Sequence, residues 1–193
     1  MLLAPSSRGL VIAGLLIVGL GGCDMGSDAA GQGNAAAVAE APAAAPPAAG
    51  RIDRSHKGEA APDVSFTAPD GKATTLAAFK GRPVLLNLWA TWCAPCIAEM
   101  PTLDALAASK GDALTVLTVA QDLDGAKVPG FLKDKGYRKL EAYVDPKLAL
   151  STHFQASLPT TILYDAEGRE MWRMLGGADW SGSEAAKLVA EAG

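Results

Sequence analysis

Two cysteines separated by two residues, Cys93 and Cys96 in the string Trp-Cys-Ala-Pro-Cys, are the side chains of this sequence best suited to chemistry. Sulfurs at that spacing meet across one helical turn, close enough to trade a disulfide bond for a pair of thiols. The preceding run, Pro83 to Trp89, is apolar almost throughout and reads as a strand covered on both faces. A helix is expected from about Cys93 to Lys110, stopped by Gly111. A helix start offers unpaired N–H groups and partial positive charge, which bring a thiol from about 8.5 down to between about 3.5 and 7.5. Cys93 at the tip is therefore the expected nucleophile and Cys96, one turn inward, the resolving thiol. Pro95 stiffens this first turn, and Trp92 is expected to shield the pair.

Stepping ~100° per residue puts Cys96, Met100, Leu103 and Ala107 on one stripe of this helix, with Glu99 at its edge. Buried in that company, the carboxylate would have a raised pKa and could exchange a proton with Cys96. Turned outward, it would be an ordinary glutamate favoured near a helix start. The sequence leaves both open.

The elements that must hold these residues follow from periodicity and turn chemistry. Val64–Ala68 and Ala73–Leu76, joined through Asp70-Gly71, read as a hairpin. A helical turn is expected over Leu76–Phe79, a second buried strand over Leu114–Ala120 and a helix over Lys127–Lys135. A strand near Leu140–Val144 and a helix over Pro146–Phe154, capped by Asp145, come next. Thr160–Tyr164 and Glu170–Leu175 form a second hairpin, and a helix over Ser183–Ala192 closes the chain. This order predicts an α/β fold: a mixed central sheet with helices on both faces and an N-terminal β-hairpin extension.

About 60 residues precede that core. Leu10 to Gly22 is an uncharged apolar run after Arg8, and as a helix it spans roughly 20 Å, short of the ~30 Å membrane core. Residues 1–22 read as a signal peptide, with an uncleaved anchor or plain secretion as alternatives. Leu20-Gly21-Gly22-Cys23 resembles a bacterial lipobox, which implies lipidation at Cys23. Ala29 to Gly50 holds 12 alanines and 3 prolines in 22 residues with Glu40 its only charge. Residues 23–60 are therefore expected to be a flexible tether, with His56 solvated in it. As a coil, Asp24 to Ala60 reaches roughly 35 Å. The catalytic domain is expected over 61–193.

Trp-Cys-Ala-Pro-Cys, the preceding Asn87-Leu88-Trp89-Ala90-Thr91 and the later Leu158-Pro159-Thr160-Thr161 resemble thioredoxin-like reductases of the TlpA, ResA and DsbE/CcmG type. The resemblance covers roughly Ala61 to Gly193 and implies a thioredoxin-like fold. It implies a cis bond before Pro159, a groove for a partner's backbone made by Trp92, Leu158 and Pro159, and a proton-handling role for Glu99. Where thioredoxin proper has a buried aspartate, this chain has Asn87, which cannot titrate. The implied activity is extracytoplasmic thiol-disulfide interchange without a cofactor. The implied partners are client proteins with oxidised cysteine pairs, in cytochrome c or cytochrome oxidase maturation, and a membrane thiol-electron donor of the CcdA or DsbD type. The expected location is the periplasmic side of the inner membrane, as a monomer anchored at Cys23. An oxidase of exported thiols is a second reading.

Other classes fare worse. A net charge of −4 without a basic stripe leaves nucleic acid no electrostatic footprint. Copper-delivery domains of this fold space their cysteines by three residues, and His153 is the one histidine inside the expected domain. A zinc site lacks four ligands, and nothing ahead of Cys93 matches the peroxidatic pattern of peroxiredoxins.

Overall fold

The computed structural model describes residues 50–193, so the apolar leader, Cys23 and most of the alanine-rich segment lie outside the described residues. The strands are β1 (Arg51–Asp53), β2 (Phe66–Thr67), β3 (Ala73–Thr74), β4 (Val84–Trp89), β5 (Thr115–Ala120), β6 (Tyr143–Val144), β7 (Thr160–Tyr164) and β8 (Glu170–Leu175). The α-helices are α1 (Ala94–Lys110), α2 (Val128–Asp134), α3 (Ala149–Phe154) and α4 (Ser183–Val189). One sheet runs in the order β1-β8-β7-β4-β5-β6-β2-β3. β4 pairs in parallel with β5 and antiparallel with β7, and the β2–β3 hairpin joins through β6.

β4 is buried along its whole length, as its apolar run requires, and its alternation assigns a role to each face. Leu85 and Trp89 pack with Met100 and Leu103 of α1, Val128 and Leu132 of α2, and Val189 of α4. Val84, Leu86 and Leu88 face Leu150 and Phe154 of α3 on the other side. Helices thus cover both faces of a mixed sheet, the thioredoxin-like arrangement. Asn87 falls on the α1 face, which decides its partners. On the α3 side, a buried Arg173–Glu170 ion pair (2.6 Å) lies over the Phe154 ring.

Four expectations need correcting. The tether does not extend to residue 60: Arg51–Asp53 add to the edge of β8, in register with Leu175 to Arg173. Arg54 then forks onto Glu191 at 2.7 and 2.8 Å, and the Gly58 N–H donates to the Glu170 carbonyl. His56, expected to be solvated, stays at the surface, 3.0 Å from the exposed Glu59 carboxylate. The strand expected from Leu140 is cut to two residues because the N–H groups of Arg138, Lys139 and Leu140 all donate to Asp104 Oδ1, at 3.0, 2.7 and 3.1 Å. Backbone donors committed to a side chain are lost to a ladder. Helix α3 starts at Ala149, because Leu148 takes a left-handed conformation (φ 54°) that ends the turn before it. Asp145 still serves the helix start, accepting from the Leu150 N–H at 2.7 Å. The fourth correction concerns Trp92, described with the site.

Candidate active site: a helix-tip disulfide with a buried carboxylate

β4 delivers the chain to the site through a tight turn, with the Cys93 N–H donating to the Ala90 carbonyl at 3.1 Å. Cys93 keeps an extended backbone and caps α1, its Sγ 3.4 Å from the Cys96 N–H. Pro95, in the first helical turn, costs no hydrogen bond there and stiffens the cap. Cys93 and Cys96 are joined as a disulfide, with Cα atoms 5.3 Å apart. Both are buried, Cys96 completely. Trp92 stands mostly in solvent rather than closed over them, at 69% exposed. A cleft of about 370 Å³ lined by Phe79, Arg82, Asp112 and Tyr143 opens at the opposite end of β4 and β5, away from the sulfurs.

Pairing of Leu88 with Thr160 brings the start of β7 beside the end of β4, so the Leu158-Pro159 loop lies at the same edge of the sheet as Cys93. The Leu158–Pro159 bond is cis; Leu158 is half-buried and Pro159 buried.

Glu99 resolves in favour of burial. It is 1% exposed and receives three donors: Asn87 Nδ2 on Oε1 at 2.8 Å, and the Ala178 N–H and Trp180 Nε1 on Oε2 at 2.9 and 3.2 Å. Loss of solvation pushes its carboxyl above the ordinary glutamate value, and these hydrogen bonds partly offset that push. Asn87 also donates to Thr161 Oγ1 at 2.9 Å, while its own Oδ1 is buried without a partner among the described residues. This carboxyl stands one turn along α1 from Cys96 and is held by the C-terminal segment.

Sequence reasoning missed the second strand's contribution. Beyond β5, Asp122 is buried and accepts both from the Thr91 N–H, at 2.9 Å, and from the Thr91 hydroxyl, at 2.5 Å. The signal was a carboxylate closing an apolar strand, Leu114 to Asp122. Trp180, which reaches Glu99 from far along the chain, left no sequence signal. Among the described residues no three His, Cys, Asp or Glu side chains gather as metal ligands, and His153 packs edge-on against Phe154.

The family model described as Redoxin matches residues 56–189. Thioredoxin-like protein YneN of Bacillus subtilis is 34% identical over 115 residues, 58% of this chain and 67% of that protein. Thiol-disulfide oxidoreductase ResA of Bacillus thuringiensis is 30% identical over 120 residues, 62% and 69% of the two chains. The crystal structure of the exposed lipoprotein thioredoxin of Streptococcus pneumoniae superposes with a TM-score of 0.59 at 29% identity, covering 67% of this chain and 99% of that one. With its helix-tip cysteine pair and thioredoxin-like sheet, the chain belongs to the Redoxin family, as a thioredoxin-like thiol-disulfide oxidoreductase.

Proposed function

We propose that this chain reduces disulfides of particular client proteins outside the cytoplasm, with Cys93 as nucleophile, Cys96 as resolving thiol and Glu99 as proton carrier. The observation that carries the reading is the Cys93–Cys96 pair at the start of α1, with a buried carboxylate one turn further in. In the reduced protein, Cys93 thiolate attacks a client disulfide; one client sulfur leaves as a thiol and a Cys93–client disulfide forms. Cys96 loses its proton toward Glu99 and attacks Cys93, freeing the second client thiol and closing Cys93–Cys96. One disulfide is reduced and one dithiol oxidised. A membrane dithiol donor then returns two electrons and two protons.

Leu158, Pro159 and Trp92 are proposed to receive the client backbone around Cys93. Cys23 is proposed as a lipid anchor on the periplasmic side of the inner membrane, a reading supported by the lipobox-like string and by the lipoprotein nature of the pneumococcal neighbour. Among the described residues no helix is long and apolar enough to cross a membrane. Clients awaiting haem or copper fit by resemblance.

A redox titration of Cys93/Cys96 against glutathione tests the direction. A midpoint at or below about −200 mV supports a reductase; one near about −120 mV assigns the site to oxidation of exported thiols instead. Trapping with Cys96→Ser in cells is expected to recover clients as mixed disulfides, whose identity tests the maturation reading.

A further inference from the structure

Among the described residues, two large apolar side chains stand out in solvent: Trp92, 69% exposed, and Leu123, 76% exposed. They are not scattered. Trp92 follows Thr91 and Leu123 follows Asp122, the two residues tied by paired hydrogen bonds at 2.9 and 2.5 Å. Below that clamp, the Gln121 N–H donates to the Trp89 carbonyl at 2.7 Å, continuing the β4–β5 ladder to the edge of the sheet. The segment carrying Leu123 is therefore fixed to the segment carrying Cys93, by a buried carboxylate with no other hydrogen-bond partner among the described residues.

Sheet order sets what lies on each side. Neighbouring strands run β7-β4-β5, so the loops at this edge present Leu158, then Cys93, then Leu123. Strands lie about 4.8 Å apart, which separates the two flanking loops by roughly 10 Å. An extended polypeptide advances about 3.3 Å per residue, so about three residues cross that distance. A client whose cysteine sits over Cys93 then lays the residues just before and just after it toward opposite flanks. Any client must pass here, because the mixed disulfide forms here. Exposed apolar side chains at such a place are the mark of a contact surface.

Resting on the reductase reading above, we propose that Leu123 is a specificity residue, forming the second apolar wall of the client groove, opposite Leu158 and held in place by the Asp122–Thr91 clamp. Its occupant is an apolar side chain next to the target cysteine of an extended client segment.

The test uses the full, pre-reduced chain and three short peptides, each with one cysteine as a mixed disulfide with thionitrobenzoate. One has leucine just before the cysteine, one just after, one serine at both places. Cys93 attacks the peptide sulfur and displaces coloured thionitrobenzoate; Cys96 then releases the peptide thiol and closes the Cys93–Cys96 disulfide. Each leucine is expected to raise the rate about tenfold over the serine peptide, the share of one apolar side chain half withdrawn from water. Leu123→Ser is expected to erase the preference on one side of the cysteine and Leu158→Ser on the other. Equal rates for all three peptides, or a Leu123→Ser variant that keeps both preferences or loses both together, overturn the inference. If neither the peptides nor oxidised glutathione exchange with Cys93, the reductase reading itself falls.

Discussion

The two cysteines differ in what surrounds them, and that difference is measurable. Cys93 sits at the α1 tip, where unpaired N–H groups and the helix dipole favour a thiolate, while Cys96 is wholly enclosed. In the reduced chain, iodoacetamide is expected to modify Cys93 at least about tenfold faster than Cys96, with a rate midpoint below about 8.5. A midpoint at or above free cysteine refutes the helix-tip argument. Glu99 gives a second prediction. Burial places its folded pKa above the ordinary 4.5, so the folded chain holds more protons than the unfolded one between those two values. Its contribution to stability is present below about 4.5 and lost as pH rises through the raised value. Glu99→Gln removes this titration, and the Asn87 Oδ1, without a partner among the described residues, can accept from the new amide after the Asn87 amide flips. Urea midpoints taken from about pH 4 to 8 should fall with pH more steeply in the parent than in the variant. Parallel curves would contradict the burial of a titrating carboxyl.

Elements here are often set by a side chain from another element. Asp104 of α1 takes three consecutive backbone donors on a single oxygen, and in doing so ends what periodicity presents as a longer strand before β6. Because only Oδ1 accepts, Asp104→Asn can keep the three bonds, whereas Asp104→Ala leaves the donors to water or unpaired. The alanine variant is expected to lose about 2 kcal/mol and the asparagine variant less than half of that, read from denaturant unfolding. Equal losses would show that the charge, not the acceptor, holds the loop. The element boundaries that were legible, β4, β7, β8 and α1, are those whose own residues decide them: a continuous apolar run in β4, the turn at Ala166–Arg169 between β7 and β8, and in α1 a proline in the first turn and a glycine at the end. The illegible ones, β1, β6 and the start of α3, depend on donors and acceptors supplied from a distance.

At the scale of the molecule, the N-terminal arm is the feature that most changes the expected organisation. Residues 50–61 cover the β8 edge through β1, the Arg54–Glu191 fork, and the N–H groups of Gly58 and Ala61. Gly50 lies against the Met174 side chain so closely that a Cβ would stand 2.6 Å from its sulfur, which leaves no space for a larger residue. A chain shortened to begin at residue 61 should be less stable by about 3 kcal/mol than one beginning at residue 50, given the loss of Ile52 burial and of the β1 ladder. It should also self-associate, because an uncovered edge strand offers unpaired backbone groups to a second copy. Matching unfolding midpoints, with both chains monomeric by light scattering, would return residues 50–60 to the tether.

The amino-acid sequence alone determined the helix-tip cysteine pair, the buried strand that leads to it and the fold class, because each is written in neighbouring residues through period, turn chemistry or spacing; the loop at Pro159 follows from resemblance to known reductases. Only the tertiary structure decided that Glu99 is buried beneath Trp180 and Ala178, that Trp92 faces solvent, and that Asp122 ties Leu123 to the reactive segment. Each of these is a pairing between residues about 30 or more positions apart, or the exposure of a side chain at a turn. Local pattern records which side chains prefer burial, but not which distant donor or wall meets them there.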